Sequence, residues 1–261
     1  MYDKPLYENE LYEIWKVDKR VHDSDDVIEY VEYAAELAKQ EWNGDLEDWI
    51  DDFGFYVVDK EWEAVYVVDK RAKQVVGIKI YKFLPKTRAL AVGYVIVEED
   101  YRGKGVGTFL FEYTEKVARE KGAKIIFSDM SEPMSEALEG YAKKNGYMFA
   151  KIPFLLPDEP LTTYLAIKPV SVGLDEITPE YIHNLYDEYL KNSYSKWELM
   201  YNNELIDLER KILDNVKLSN KKIEFTQERF LKDVDDEYKE NDAWEFDIYD
   251  VKEFIEETFQ I

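Results

Sequence analysis

The chain has 261 residues, enough for one large core or one core with a smaller module, and 46% hydrophobic with 35% charged residues describes a soluble globular protein. Zero cysteines exclude disulfides, thiolate metal sites and a cysteine nucleophile, and no apolar run approaches the roughly 20 residues that span a bilayer. A formal charge of −23 argues against nucleic acid and anionic membranes as partners and favours cationic substrates such as amines.

Residues Met1 to Tyr7 lack a basic segment followed by an apolar one, so the expected location is cytoplasmic. Leu11 to Val17 alternates with period two, as a half-exposed strand should. Asp23 to Asp26 supplies capping residues for a helix whose apolar positions 27, 30, 31, 34, 37 and 38 make one face. The stretch from Trp42 to Phe55 is aromatic and acidic together. Residues 64–68, the turn 69–73 and residues 75–83 read as a hairpin, and Pro85 to Arg88 turns the chain into a strand over 89–97. That run, ALAVGYVIV, is apolar and β-branched enough to be buried on both faces.

A glycine-rich loop, Glu98 to Gly107, runs from this strand into a helix with apolar residues at Phe109 or Leu110, Tyr113 and Val117. A strand ending in such a loop at a helix N-terminus presents unpaired N–H groups and the positive dipole end, which is the chemistry of pyrophosphate binding. The loop is neither a nucleotide P-loop, since no lysine stands between Gly107 and Thr108, nor a dinucleotide fingerprint, which needs glycine at position 108.

A further strand over 124–128 precedes the helical stretch Ser135 to Tyr147, and two closing strands are expected over 148–156 and 161–168. Lys168 to Gly173 reads as a domain exit, giving domains of 1–168 and 169–261. The second is acidic, with 11 Lys+Arg against 24 Asp+Glu, and shows four helical patterns. Thr178-Pro179-Glu180 starts one. The capping box Ser195-Lys196-Trp197-Glu198 opens a longer one, with Trp197, Tyr201, Leu205, Leu208 and Ile212 on one face and Leu199, Ile206 and Leu213 on a second line. Shorter helices are expected near 226–240 and 247–259. His22 and His183 stand alone without ligand-like spacing, and no metal site is expected.

Arg102 to Gly107 matches the R-x-x-G-x-G loop of the GNAT acyltransferase superfamily, and Ser135 to Tyr147 resembles its second signature, N-x-x-A-x-x-L-Y-x-K-x-G-F. By this resemblance the match covers roughly residues 10 to 168. It implies a GNAT-like mixed, mostly antiparallel central sheet with helices on both faces, to which the chain adds an all-helical C-terminal extension. It also implies transfer of an acetyl or other acyl group from acetyl-CoA to a primary amine by direct attack on the thioester. The phosphates would then meet the backbone of Gly103, Lys104, Gly105, Val106, Gly107 and Thr108 with the Arg102 and Lys104 side chains nearby. The pantetheine would pair with Val95, Ile96 and Val97, and Ser135 and Lys144 complete the expected CoA-binding set. In the family the region between the first two strands borders the acceptor site. Here its aromatic, carboxylate-lined wall can hold an ammonium, or Trp42, Trp49 and Phe53 can simply anchor a second helix.

Deprotonating a lysine-like amine at neutral pH costs about 4 to 5 kcal/mol, so a base or water chain is needed. The central strand has no carboxylate; Asp129 and Glu132 follow the next strand, while Glu98 and Glu99 flank the loop and are expected to face solvent. The second signature departs from the family at Ser135, in place of asparagine, and at Ala142, in place of the tyrosine that protonates the leaving thiolate in many members. Tyr141 lies about 100° round the helix from that position. The catalytic candidates are therefore Asp129, Ser135 and Tyr141. Polyamines, aminoglycosides, amino acids and protein amines remain open as acceptors, and a homodimer through the extension is the expected assembly. The alternative reading is a non-catalytic acyl-CoA sensor whose extension binds a partner.

Overall fold

In the computed structural model the described residues are 4–17, 24–42, 44–131, 136–157, 163–218, 222–228 and 252. Two units pack separately: residues 1–83 with 90–121, and residues 84–89 with 122–261.

The first unit is built on strands β1 (Tyr7–Glu8), β2 (Tyr12–Lys16), β3 (Glu63–Asp69), β4 (Gln74–Leu84) and β5 (Ala89–Val97), neighbours in that order. The pairs β1–β2, β2–β3 and β3–β4 are antiparallel, with Ile14 opposite Val67 and Tyr66 opposite Ile78. The period-two pattern of β2 buries Tyr12 and Ile14. Asp69 closes the β3–β4 turn by accepting from the amides of Arg71 (2.7 Å) and Ala72 (2.9 Å).

Between β2 and β3 come helices α1 (Ser24–Trp42) and α2 (Leu46–Gly54). The α1 stripe buries Tyr30, Val31, Ala34, Leu37 and Ala38, as its spacing predicts. Asp45 caps α2 by accepting from the Glu47 amide at 3.0 Å. The helix then widens into a π-turn, Phe55–Asp59, which sequence periodicity does not reveal. After β5 a short 3-10 turn, Glu99–Tyr101, leads to α3 (Val106–Glu120), which buries Phe109, Leu110, Tyr113 and Val117.

Strand β5 has the expected ends, but only its first four residues and Ile96 are buried. Gly93, Tyr94 and Val95 are half-buried, a partial exposure that the apolar composition of the strand does not reveal.

The second unit contains β6 (Ile125–Ser131), α4 (Glu136–Lys144), β7 (Met148–Ala150), β8 (Thr163–Pro169), α5 (Pro179–Ser193), α6 (Lys196–Tyr201), α7 (Asn203–Leu218) and β9 (Phe225–Thr226). Its strands run in the order β6-β8-β7-β9, every pair antiparallel. The strand expected over 148–156 ends at Ala150, and Phe154, Leu155 and Leu156 are buried without pairing as a strand.

The longer helix expected from Ser195 is two helices. Asn202 interrupts it, its amide group donating back to the Glu198 carbonyl at 3.2 Å. Trp197 and Tyr201 therefore leave the stripe of α7, which buries Ile206, Ile212, Leu213 and Val216. Of the helix expected near 226–240 only residues 226–228 are described, with Thr226 ending β9, and of the one near 247–259 only residue 252; the rest lie outside the described residues. Among the described residues no helix is long and apolar enough to cross a membrane.

Candidate active site

The loop between β5 and α3 is shaped by its glycines. Gly103 (φ +72°) and Gly105 (φ +93°) both occupy the left-handed region that disfavours side chains. Gly105 is also the residue from which α3 starts, so no capping side chain covers the helix end. The first-turn amides of α3 have no preceding turn to accept them. A Cβ on Gly103 or Gly105 would meet nothing within 4 Å, so it is the backbone conformation and not crowding that favours glycine at both positions.

The two cations of the loop differ. Arg102 pairs with Glu41 of α1 through Nη2, and its Nε donates to the Val97 carbonyl at 3.2 Å. Lys104 lies over the Tyr101 ring, 5.0 Å from its centroid, while its carbonyl accepts from the Tyr12 hydroxyl at 3.1 Å. Glu98 is not the solvent-facing group expected, because the Tyr33 hydroxyl lies 2.6 Å from its Oε1. Burial, together with that contact, holds the Tyr33 phenol well above its ordinary pKa. Of the strand residues, Val95 and Val97 are half-buried and Ile96 is buried. Gly77 of β4 permits a close approach here, since a Cβ on it would lie 3.0 Å from the Ile96 carbonyl oxygen.

A second constellation surrounds the half-buried middle of β5. The Tyr94 hydroxyl donates to Asp52 Oδ2 at 2.6 Å, so α2 brings a carboxylate to a strand that has none of its own. Around the Tyr94 ring stand Phe53 (4.9 Å between centroids), Trp42 (5.6 Å), Tyr56 (5.9 Å) and Trp49 (6.1 Å). Phe53 is fully buried, but Trp42 is 47% exposed. Phe53 anchors the helix on the core, while Trp42, Trp49, Tyr94 and Asp52 form a partly exposed aromatic and acidic surface.

Sequence reasoning missed Asp52 and Tyr94. A signal was available, because Trp49, Asp52, Phe53 and Tyr56 share one face of the helix and a carboxylate among three aromatics is out of place. Residues 24–59 also carry 12 Asp+Glu against one lysine, a net of −11 out of −23.

In the second unit, Asp129 of β6 accepts from the Tyr189 hydroxyl at 2.9 Å. Burial holds the Tyr141 phenol of α4 above its ordinary pKa. Lys144 is exposed on the same helix, and Gly146 (φ +76°) ends it, with the Tyr147 amide returning to the Ala142 carbonyl at 3.0 Å. Glu132, Ser135 and His22 lie outside the described residues. No group of three or more His, Cys, Asp or Glu placed to hold a metal occurs among the described residues.

A strand, a glycine loop with two left-handed glycines, and a helix N-terminus without a side-chain cap follow one another in an α/β protein whose sheet is mostly antiparallel. The sequence model of the Acetyltransferase (GNAT) family matches residues 10–147, more than half of the chain, and the protein belongs to that family. No curated protein matches the sequence.

Solved structures that resemble it include ribosomal-protein-S5-alanine acetyltransferase from Vibrio fischeri. That protein is 15% identical over 63% of this chain and 96% of its own, with a TM-score of 0.47. An aminoglycoside 6′-N-acetyltransferase complexed with coenzyme A is 18% identical over 60% and 96%, with a TM-score of 0.44. Nourseothricin acetyltransferase is 20% identical over 43% and 67%, with a TM-score of 0.38.

Proposed function

We propose that the protein is an N-acetyltransferase that moves the acetyl group of acetyl-CoA to the primary amine of a cationic acceptor. The observation that carries this reading is the β5–α3 loop, where left-handed Gly103 and Gly105 lead without a side-chain cap into the positive N-terminal end of α3, a setting that suits a pyrophosphate. Val95 to Val97 then offer backbone groups to the pantetheine arm.

The acceptor ammonium is drawn by the −11 segment and held against Trp42, Trp49, Tyr94 and Asp52 by charge and cation–π attraction. An aromatic enclosure favours the neutral pair over the ion pair, which eases proton loss from the ammonium to a carboxylate. The freed amine nitrogen attacks the thioester carbonyl carbon. A C–N bond forms and the C–S bond breaks; the proton still in excess on the nitrogen passes to the departing thiolate, directly or through water, giving the amide and the free thiol, and with a free-thiol pKa near 8.5 that thiolate needs no strong acid.

Two carboxylates are proposed as proton acceptors: Asp52, positioned by Tyr94, and Asp129, positioned by Tyr189. Tyr141 and Ser135 are the proposed proton donors to the leaving thiolate. The 1–168 and 169–261 division and a homodimer through the extension belong to the same proposal.

Calorimetric titration of acetyl-CoA is the test, with thiol release measured on a panel of amines. Gly105→Glu is expected to abolish binding, since it places a carboxylate and a strained φ where the phosphate sits. Asp52→Asn is expected to bind acetyl-CoA normally and lose at least tenfold in turnover, about 1.4 kcal/mol. Loss in Asp129→Asn instead would move the role to Asp129. Binding without thiol release from any amine would favour the sensor reading, and no binding at all would overturn both.

A further inference from the structure

We propose that the groove between α1 and α2 docks a basic polypeptide segment bearing apolar side chains, so that the acceptor is a polypeptide amine. The groove, of about 380 Å³, lies on the side of α2 away from the Tyr94 wall. Its floor is apolar: Val31 comes from α1, Ile50 from α2, and Phe55 from the π-turn. Ile28 and Val58 stand at its edge, 50% and 53% exposed, and Glu32, Asp51 and Asp59 form the rim.

The π-turn makes this surface. Its wide turn buries Val57 completely and turns Val58, the next residue, outward. Ile28 likewise lies outside the stripe by which α1 packs on its core. Two β-branched side chains half in water on facing elements are a cost to a monomer unless something covers them.

Charge selects the occupant. The surrounding segment carries a net −11, which repels an anionic lipid surface and a second copy of the same face. A polyamine or a small amino sugar would use the carboxylates and leave the apolar floor wet. A segment in which lysines or arginines alternate with apolar residues satisfies both, cations on Glu32, Asp51 and Asp59 and an aliphatic side chain between Ile28 and Val58. Helix α2 joins the two surfaces, presenting Ile50 and Asp51 to the groove and Trp49 and Asp52 to the wall. The assignment of the acceptor rests on the acetyltransferase reading; the docking itself does not.

The test is fluorescence anisotropy with a labelled peptide of repeated Lys-Leu-Gly, against one of repeated Lys-Ser-Gly with the same charge. The leucine peptide is expected to bind at least tenfold more tightly. The double variant Ile28→Asn, Val58→Asn changes no charge and alters only side chains that are already half exposed. It should bring the leucine peptide down to the affinity of the serine peptide while leaving the serine peptide and the melting temperature unchanged.

Equal binding of the two peptides, or no effect of the double variant, would show generalised attraction to an acidic surface and overturn the proposal. So would self-association, in sedimentation velocity, that the double variant abolishes. With acetyl-CoA binding intact, acetylation of the leucine peptide should show KM raised about tenfold in the variant and kcat unchanged. Peptide binding without acetyl-CoA binding would sink the acetyltransferase reading and leave the groove standing; the converse would do the reverse.

Discussion

Lys79 shows how far one residue can stand from what its chemistry prefers. It lies on β4 between Ile78 and Ile80, completely buried, and its amine donates to Thr114 of α3, which itself donates to the Leu110 carbonyl at 2.7 Å. Burial lowers its pKa from 10.5 to about 7. Between those values the unfolded chain binds the proton and the folded one does not, so stability rises with pH through the window and the penalty is fully present below it. Lys79→Met, of similar shape and still leaving Thr114 its bond to Leu110, is expected to raise the melting temperature. Its advantage should shrink by about 2–3 kcal/mol between about pH 6 and about pH 9. A constant difference across that range would mean that Lys79 does not titrate there. Tyr94 differs in kind, because its hydroxyl positions a functional carboxylate. Tyr94→Phe is expected to leave acetyl-CoA binding unchanged and to reduce turnover several-fold, less than Asp52→Asn does, in the same thiol-release measurement.

At the scale of elements, what was legible in the sequence is what local pattern determines. Strand β5 could be bounded to the residue because a nine-residue apolar run between Arg88 and Glu98 has one solution, and the loop after it because left-handed turns demand glycine. The break at Asn202 was not legible, since periodicity continues across it on both lines of apolar residues. Asp52 was not legible as a partner of Tyr94, because that contact depends on α2 lying against β5, which no spacing within α2 encodes. Glu209 was missed for the same reason. It occupies an apolar-stripe position of α7 and is completely buried, Oε2 accepting the Leu155 amide at 3.3 Å and Oε1 having no partner. Burial raises its pKa well above 4.5, so the folded chain holds a proton that the unfolded chain releases. Stability therefore falls as pH rises from about 4.5 toward that raised value. Glu209→Gln keeps the acceptor for Leu155 and cannot ionise. It is expected to match the wild type at about pH 5 and to be the more stable of the two, with the higher Tm, at about pH 8. A parallel pH dependence in the two proteins would refute the assignment.

For the whole molecule the dominant fact is −23, and it bears directly on assembly. Two copies of so acidic a chain repel, and contact is least costly where charge is balanced. Residues 190–218 are such a place, with five Asp+Glu and five Lys+Arg. The same region exposes Trp197 (69%), Met200 (65%) and Tyr201 (83%) on one short helix. Beside them lies a cleft of about 280 Å³ floored by Leu190, Leu199 and Ile206, with the Arg210–Asp187 pair, 2.9 Å apart, at its rim. A two-fold dimer uses a surface that carries both projection and recess; this one has both, and we propose a contact in which the indole of one copy enters the cleft of the other. Sedimentation velocity over a concentration series should therefore show a reversible monomer–dimer equilibrium. Trp197→Ala with Tyr201→Ala should shift it to monomer without changing the melting temperature, as both side chains are exposed. Salt separates this interface from one held by ion pairs. Screening weakens the repulsion between two −23 copies while leaving apolar contacts intact, so association should strengthen as salt is added. Dissociation on adding salt would place the interface on charged residues and remove the aromatic patch from it.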